Sequence, residues 1–282
     1  MSNQTVLLQM TALFPAATLV ILHFYLEPLR WHFVYFRRSR PWCTVRDLYL
    51  ATALASYLLP FKMGIPLRIA LVARVLHFKS RFTLGRMALD SVLMFVCWAV
   101  LASLAGGLQV GPSILRLTSW QAVLASLVLL LVFFVLLYLA RGSFLRSLEI
   151  THHVGARGAL VVLAVGTVDV AGYGFRHGFM AVAVGLDPAL FWTWSSLGLV
   201  ATFSGILSGL PLGIGGYDAI LLGSYIAVGG EPSQALQVVI LNRILSFGTA
   251  GLLGAPAARR LGFGASIAEY WVRLKEMVGG RR

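Results

Sequence analysis

Long apolar runs recur along the 282 residues, at 5–26, 47–60, 66–77, 87–107, 119–140, 158–184, 189–210, 216–229 and 233–255. Several reach the roughly 18 residues that let a helix cross a hydrocarbon core about 30 Å thick. Lipid offers the backbone no hydrogen-bond partners, so a spanning chain must satisfy its own N–H and C=O groups, in helices or in a closed barrel. Barrel strands alternate over ~10-residue segments. These runs are instead continuous and rich in Leu, Ala and Val, which points to helices. With 59% hydrophobic and 12% charged residues, the chain also has too little polar surface to cover a soluble core. The expected fold is therefore an all-α polytopic membrane protein, a helical bundle. The first run lacks a basic leading region and a cleavage site, so it reads as a retained helix.

The formal net charge is +13. In this setting the excess belongs to cytoplasmic loops, where Lys and Arg accumulate, rather than to nucleic-acid binding. Arg30, Arg37, Arg38, Arg40 and Arg46 follow the first run, and Lys79, Arg81 and Arg86 precede 87–107. Arg141, Arg146 and Arg157 lie between 119–140 and 158–184, and six more cations follow 258. The connections 108–118, 185–188 and 230–232 hold only Arg116. This pattern places the N-terminus outside and the C-terminus in the cytoplasm of a cell membrane. One transmembrane domain then covers 1–258, with a basic cytoplasmic tail at 259–282.

On that path, 47–60 and 66–77 must leave and re-enter on the cytoplasmic side, yet both are short for full crossings. A re-entrant or broken helix hairpin fits, with LPFKMGIPLR (59–68) at its tip. Segments 189–210 and 216–229 form a second hairpin that opens to the outside, with LPLGIG (210–215) at its tip. Both tips place Leu-Pro before a glycine four residues past the proline. Helix, hairpin, helix thus recurs with every direction reversed, an inverted-topology repeat. Paired Gly/Pro interruptions of this kind point to a transporter's binding site. Irregular backbone at membrane depth is tolerated only within protein or along a wet cavity, and broken helices present amides to anions. A loop at the membrane surface is the plain alternative.

Charges within the apolar segments are the second signal, because an unpaired charge there costs at least about 2.5 kcal/mol. Asp90, Asp169 and Asp218 sit in or beside such segments, as do Lys62, Arg68, Arg74, Arg176 and Arg243. Asp169, Tyr173 and Arg176 share one helical face, as a structural pair or as part of a pathway. Arg243 follows Asn242 with no local partner, so it needs one from another element or from a ligand. Trp42, Trp120 and Trp192 read as interfacial anchors, and GTAGLLGAPAA (248–258) as close helix packing. Cys43 and Cys97 form no metal or disulfide motif, and His152 and His153 lie in a loop. No metal, cofactor or catalytic set is expected.

At these residues the chain resembles the flippase-like family typified by the transmembrane region of lysylphosphatidylglycerol synthase. Pro60, Lys62, Gly64 and Arg68 fall on its motif P-x-R-x-G-E-x-x-R, with Lys62 for arginine and Ile65 for the acid. Pro211, Gly213, Ile214, Gly215, Asp218 and Ala219 fall on P-G-G-L-G-x-x-E-A, with Leu212 for glycine and Asp218 for glutamate. Arg243 matches an arginine of the following helix. The resemblance covers about 5–255. It implies movement of polar lipids or lipid-linked sugars between leaflets, without the soluble aminoacyl-transferase domain of fused members.

The expectation is a translocase in which Lys62, Gly64, Arg68, Gly213, Gly215, Asp218 and Arg243 meet a polar or anionic headgroup. Asp90, Asp169, Tyr173 and Arg176 would support it from within the membrane. The partners would be anionic or phosphate-bearing lipids, with lipid- or glycan-synthesis proteins as further candidates and nucleic acid excluded. No GxxxxGK[ST] motif is present for ATP. The competing readings are a membrane enzyme acting on lipid phosphates, and a non-transporting member of a lipid or glycan assembly complex.

Overall fold

The computed structural model describes residues 3–33, 41–58, 68, 71–72, 75, 80–109, 156–207 and 216–262. Seven α-helices carry most of these residues: α1 (Asn3–Trp31), α2 (Trp42–Leu58), α3 (Ser80–Gln109), α4 (Ala156–Ala183), α5 (Phe191–Leu207), α6 (Gly216–Ala227) and α7 (Pro232–Arg260). No strand occurs among them. The protein is an all-α polytopic membrane protein. Leu7–Trp31 and Pro232–Arg260 are each long and apolar enough to cross a bilayer alone.

Polarity is distributed as lipid requires. Leu7, Met10 and Phe14 project from one face of α1, and Leu236, Ile240, Ile244 and Phe247 from one face of α7, all exposed. Meanwhile Arg30, Asp90, Asp169, Arg176, His177 and Asn242 are buried. A water-soluble protein of this size would not expose such stripes while enclosing that many polar groups.

Two turns set the register of the second half. At Gly185 (φ 91°), Leu186 N–H donates to Ala181 O and Gly185 N–H to Val182 O, both at 3.0 Å. At Gly229 (φ 97°), Gly230 N–H donates to Tyr225 O at 2.9 Å and Gly229 N–H to Ile226 O at 3.0 Å. Each is a helix stop that needs a left-handed residue, the conformation glycine adopts without penalty. Pro188 and Pro232 then open the next helical segments at positions where a missing N–H costs nothing. The short connections expected at 185–188 and 230–232 are these turns.

Helix α7 acts as the ruler of the bundle. Near its C-terminal end, Arg260 holds Asp47 at the start of α2 (2.6 and 2.9 Å). Helix α2 runs antiparallel to α7 and ends with the Tyr57 ring 4.9 Å from Phe247, in the middle of α7. From the opposite end, α6 leads away from Asn242 and Arg243, which contact Tyr217 and Asp218 in its first turn. At about 1.5 Å per residue, the twelve residues of α6 span ~18 Å, well short of a bilayer core. Two short helices therefore meet α7 from opposite ends and come together between positions 242 and 247.

The first apolar run is longer than its composition indicates. Helix α1 continues to Trp31 through Pro28, and Arg30 is a buried member of it rather than a loop cation. The physical reason is Asp90 of α3, which takes Arg30 Nε at 2.7 Å and Nη2 at 2.8 Å and lets the helix carry the charge inward. At the other end of the domain, Arg259 and Arg260 form the last turn of α7.

Candidate functional site

A cavity of about 280 Å³ lies where α2, α6 and α7 converge, walled on the other sides by α1, α4 and α5. Arg68, Arg176 and Arg243 all line it, among the aromatic rings of Phe24, Tyr49, Tyr57, Tyr173 and Tyr217.

Each arginine is held differently. Arg68 donates from Nε to Thr52 Oγ1 at 3.0 Å and from Nη1 to Glu27 Oε1 at 3.2 Å. Its guanidinium lies 4.6 Å from the Tyr49 ring centroid and 5.4 Å from that of Trp31, and the Tyr49 hydroxyl donates to the other Glu27 oxygen. Arg243 embraces Asp218 with Nη2 at 2.9 and 2.8 Å and Nε at 3.2 Å, the bidentate geometry in which a guanidinium matches a carboxylate. Arg176 is only 2% exposed, with its guanidinium carbon 3.4 Å from the Tyr173 ring centroid. It makes no ion pair among the described residues, and its Nε and Nη1 have no acceptor.

The shared face of Asp169, Tyr173 and Arg176 exists, but Asp169 turns away from Arg176. It meets His23 Nδ1 of α1 at 2.7 Å, while the Tyr173 ring makes a T-shaped contact with the His23 ring (4.9 Å) and has the Arg176 guanidinium over it. One helical turn further along α4, His177 Nδ1 lies 2.7 Å from Tyr173 O and Nε2 lies 2.6 Å from the Tyr217 hydroxyl. Asn242 Nδ2 donates to that hydroxyl at 2.9 Å, while its Oδ1 has no donor among the described residues.

Of the residues expected at the site, Arg68, Tyr173, Arg176 and Arg243 line the cavity. Asp218 and Asp169 reach it through Arg243 and His23, which also line it. Asp90 stands apart, bound to Arg30 and to Trp31 Nε1 (3.1 Å) between α1 and α3. Lys62, Gly64, Gly213 and Gly215 lie outside the described residues, as do Ile65, Arg74 and the rest of 59–67 and 210–215.

Five contributors escaped the sequence reading: His23, Glu27, His177, Tyr217 and Asn242. His23 and Glu27 stand four residues apart in the first apolar run, a polar face that ending the run at 26 concealed. His177, Tyr217 and Asn242 each adjoin a charge that was recognised. Intramembrane polar residues next to known charges were the available signal.

The whole arrangement is a small polar chamber inside an apolar bundle, lined by three guanidinium groups, of which Arg68 and Arg243 pair with the carboxylates of Glu27 and Asp218 behind the wall. Such a chamber attracts an anion and can surround it with charged donors. Residues 4–254 match the family model described as the lysylphosphatidylglycerol synthase TM region. No curated protein matches the chain.

Proposed function

The chain belongs to the lysylphosphatidylglycerol synthase transmembrane-region family, and from that premise we propose that it translocates a polar or anionic lipid headgroup, or that of a lipid-linked sugar, between leaflets. The observation that carries this reading is the convergence of Arg68, Arg176 and Arg243 on one cavity between two short helices that reach α7 from opposite ends. An anionic headgroup would enter the cavity while its acyl chains stay in lipid. Lys62, from the hairpin tip, would add a further cation, and Gly64, Gly213 and Gly215 would let the tip backbones approach the headgroup.

In this reading α5 and α6 are the limbs of one re-entrant hairpin, and α2 with the segment around Arg68 forms the other. The two are inverted copies, and rocking of one against the other alternates access to the cavity. The N-terminus lies outside the cell membrane and the C-terminus in the cytoplasm. Glu27 and Asp218 hold Arg68 and Arg243 in place and compete with the headgroup for them, so binding stays reversible.

Reconstitution in vesicles containing fluorescently labelled anionic phospholipids and polyprenyl-phosphate lipids tests this. We expect transfer between leaflets well above that of empty vesicles, lost in Arg68→Ala and Arg243→Ala. Transfer no faster than in empty vesicles across that panel would overturn the proposal. Chemically altered lipid would instead indicate a lipid-modifying enzyme.

A further inference from the structure

Two side chains on the cavity wall carry polar atoms that have no partner among the described residues, and these atoms are opposite in kind. Arg176 has donors without an acceptor, and Asn242, 5% exposed, has an acceptor without a donor. Buried polar groups in folded proteins are nearly always paired, because an orphan loses its hydration and receives nothing in return. Had the two touched, each would satisfy the other. A gap therefore separates them, and both face the same cavity.

The orientation of Asn242 follows from a chain of hydrogen bonds. Tyr173 O can only accept, so His177 Nδ1 carries the hydrogen that points at it. A neutral imidazole then accepts at Nε2, and the Tyr217 hydroxyl is its donor. The Tyr217 oxygen is left to accept, so Asn242 must present Nδ2 to it. Asn242 Oδ1 is consequently turned away from this chain as a free acceptor. Two hydroxyls on the wall are committed elsewhere: Ser56 donates to Thr52 O at 2.9 Å and Thr202 to Gly198 O at 2.7 Å.

We infer that Arg176 and Asn242 are the two halves of one recognition site. Arg176 takes an anionic oxygen of a phosphodiester. Asn242 Oδ1 takes an O–H or N–H hydrogen of the alcohol esterified to that same phosphate. This rests on the headgroup reading above and narrows it to phosphodiesters whose headgroup alcohol carries a hydrogen-bond donor. The cavity, at about 280 Å³, is just under the ~300 Å³ at which clefts for drug-sized ligands begin, which suits a headgroup without its acyl chains. A site built to hydrogen-bond a hydroxyl discriminates against the analogue lacking it, because its own polar group is then left buried and unpaired.

Calorimetric titration of the full chain in detergent with dihexanoyl phosphatidylglycerol and dihexanoyl phosphatidylmethanol tests the inference. The two lipids share the phosphodiester charge and differ in headgroup hydroxyls. We expect the glycerol lipid to bind about tenfold more tightly. Asn242→Leu should bring the ratio close to one, and Arg176→Gln should weaken both lipids. Phosphatidylethanolamine should likewise outbind phosphatidylcholine, whose quaternary nitrogen has no hydrogen to donate. Water-soluble glycerophosphoglycerol should bind more weakly than the lipid; equal binding would assign the site to free phosphodiesters and overturn the lipid source. Equal affinities of the wild-type protein for the glycerol and methanol lipids, or binding of neither, would overturn the recognition pair without any variant having to fold. Leaflet transfer, read in vesicles, would remain independently supported or refuted.

Discussion

Arg30 and Arg68 are both arginines near the same end of the bundle, and their surroundings give them different work. Arg30 is sealed between α1 and α3 with Asp90, the two side chains 1% and 6% exposed. Removing one partner of a pair so enclosed leaves an uncompensated charge, which costs about 3–5 kcal/mol. Asp90→Leu should therefore lower the thermal unfolding midpoint in detergent sharply. The double variant Asp90→Leu/Arg30→Met should recover most of the loss, because well-packed apolar side chains replace a buried pair at little net cost. Arg68, by contrast, faces the cavity and shares itself between Glu27, Thr52 and two aromatic rings. Glu27 supplies a carboxylate to this arginine, while Asp218 serves Arg243. With Glu27→Gln, Arg68 keeps a neutral hydrogen bond and its charge is less quenched. A phosphate lipid should then bind more tightly yet cross more slowly, since transport needs binding weak enough to release. Lipid titration and vesicle transfer measured on the same variant would check both halves.

At the scale of elements, the small-residue run of α7 shows how far composition can mislead. Its glycines read alike as close-packing positions, yet they divide. A Cβ at Gly254 would sit 2.6 Å from Leu54 Cβ and 2.7 Å from Leu50 O, so here α2 and α7 touch backbone to backbone. At Gly248 and Gly251 a Cβ would meet nothing within 4 Å. Gly254→Leu should destabilise by about 1–3 kcal/mol through overpacking and displace α2 from its seat. Gly248→Ala and Gly251→Ala should be neutral or slightly stabilising, since alanine favours a helix over glycine by up to ~1 kcal/mol. Thermal unfolding of the three single variants distinguishes the positions. The approach of α2 matters to the site because its last turns carry Ser56 and Tyr57 into the cavity wall.

For the molecule as a whole, the question is how the bundle lies in the bilayer. The proposed orientation puts the α3 end and the α6–α7 turn outside. Single cysteines at Gln109 and Glu231, in a background with Cys43 and Cys97 replaced, should react with a membrane-impermeant thiol reagent added to intact cells. Reaction only after the cytoplasmic side is opened would reverse the orientation while leaving the bundle unchanged. The turns around Gly185 and Gly229 were legible in the sequence, because glycine and proline there give local stop and start signals.

The sequence by itself determined the solvent, the secondary structure and the family. Apolar runs this long admit only helices in lipid, and short motifs around Arg68, Asp218 and Arg243 carry the family pattern. It also marked which charges would need partners. The tertiary structure decided who those partners are. Glu27 joins Arg68, His23 joins Asp169, Arg30 joins Asp90, and Arg176 is left with unmet donors beside an unmet acceptor on Asn242. These pairings join residues as far apart as 146 positions, as His23 and Asp169 are. Helical periodicity gives the face a side chain occupies within its own helix, but not the helix that face will meet. That choice belongs to the packing of α1, α2 and α4 around α7, where each buried charge settles against whichever partner the bundle brings within reach.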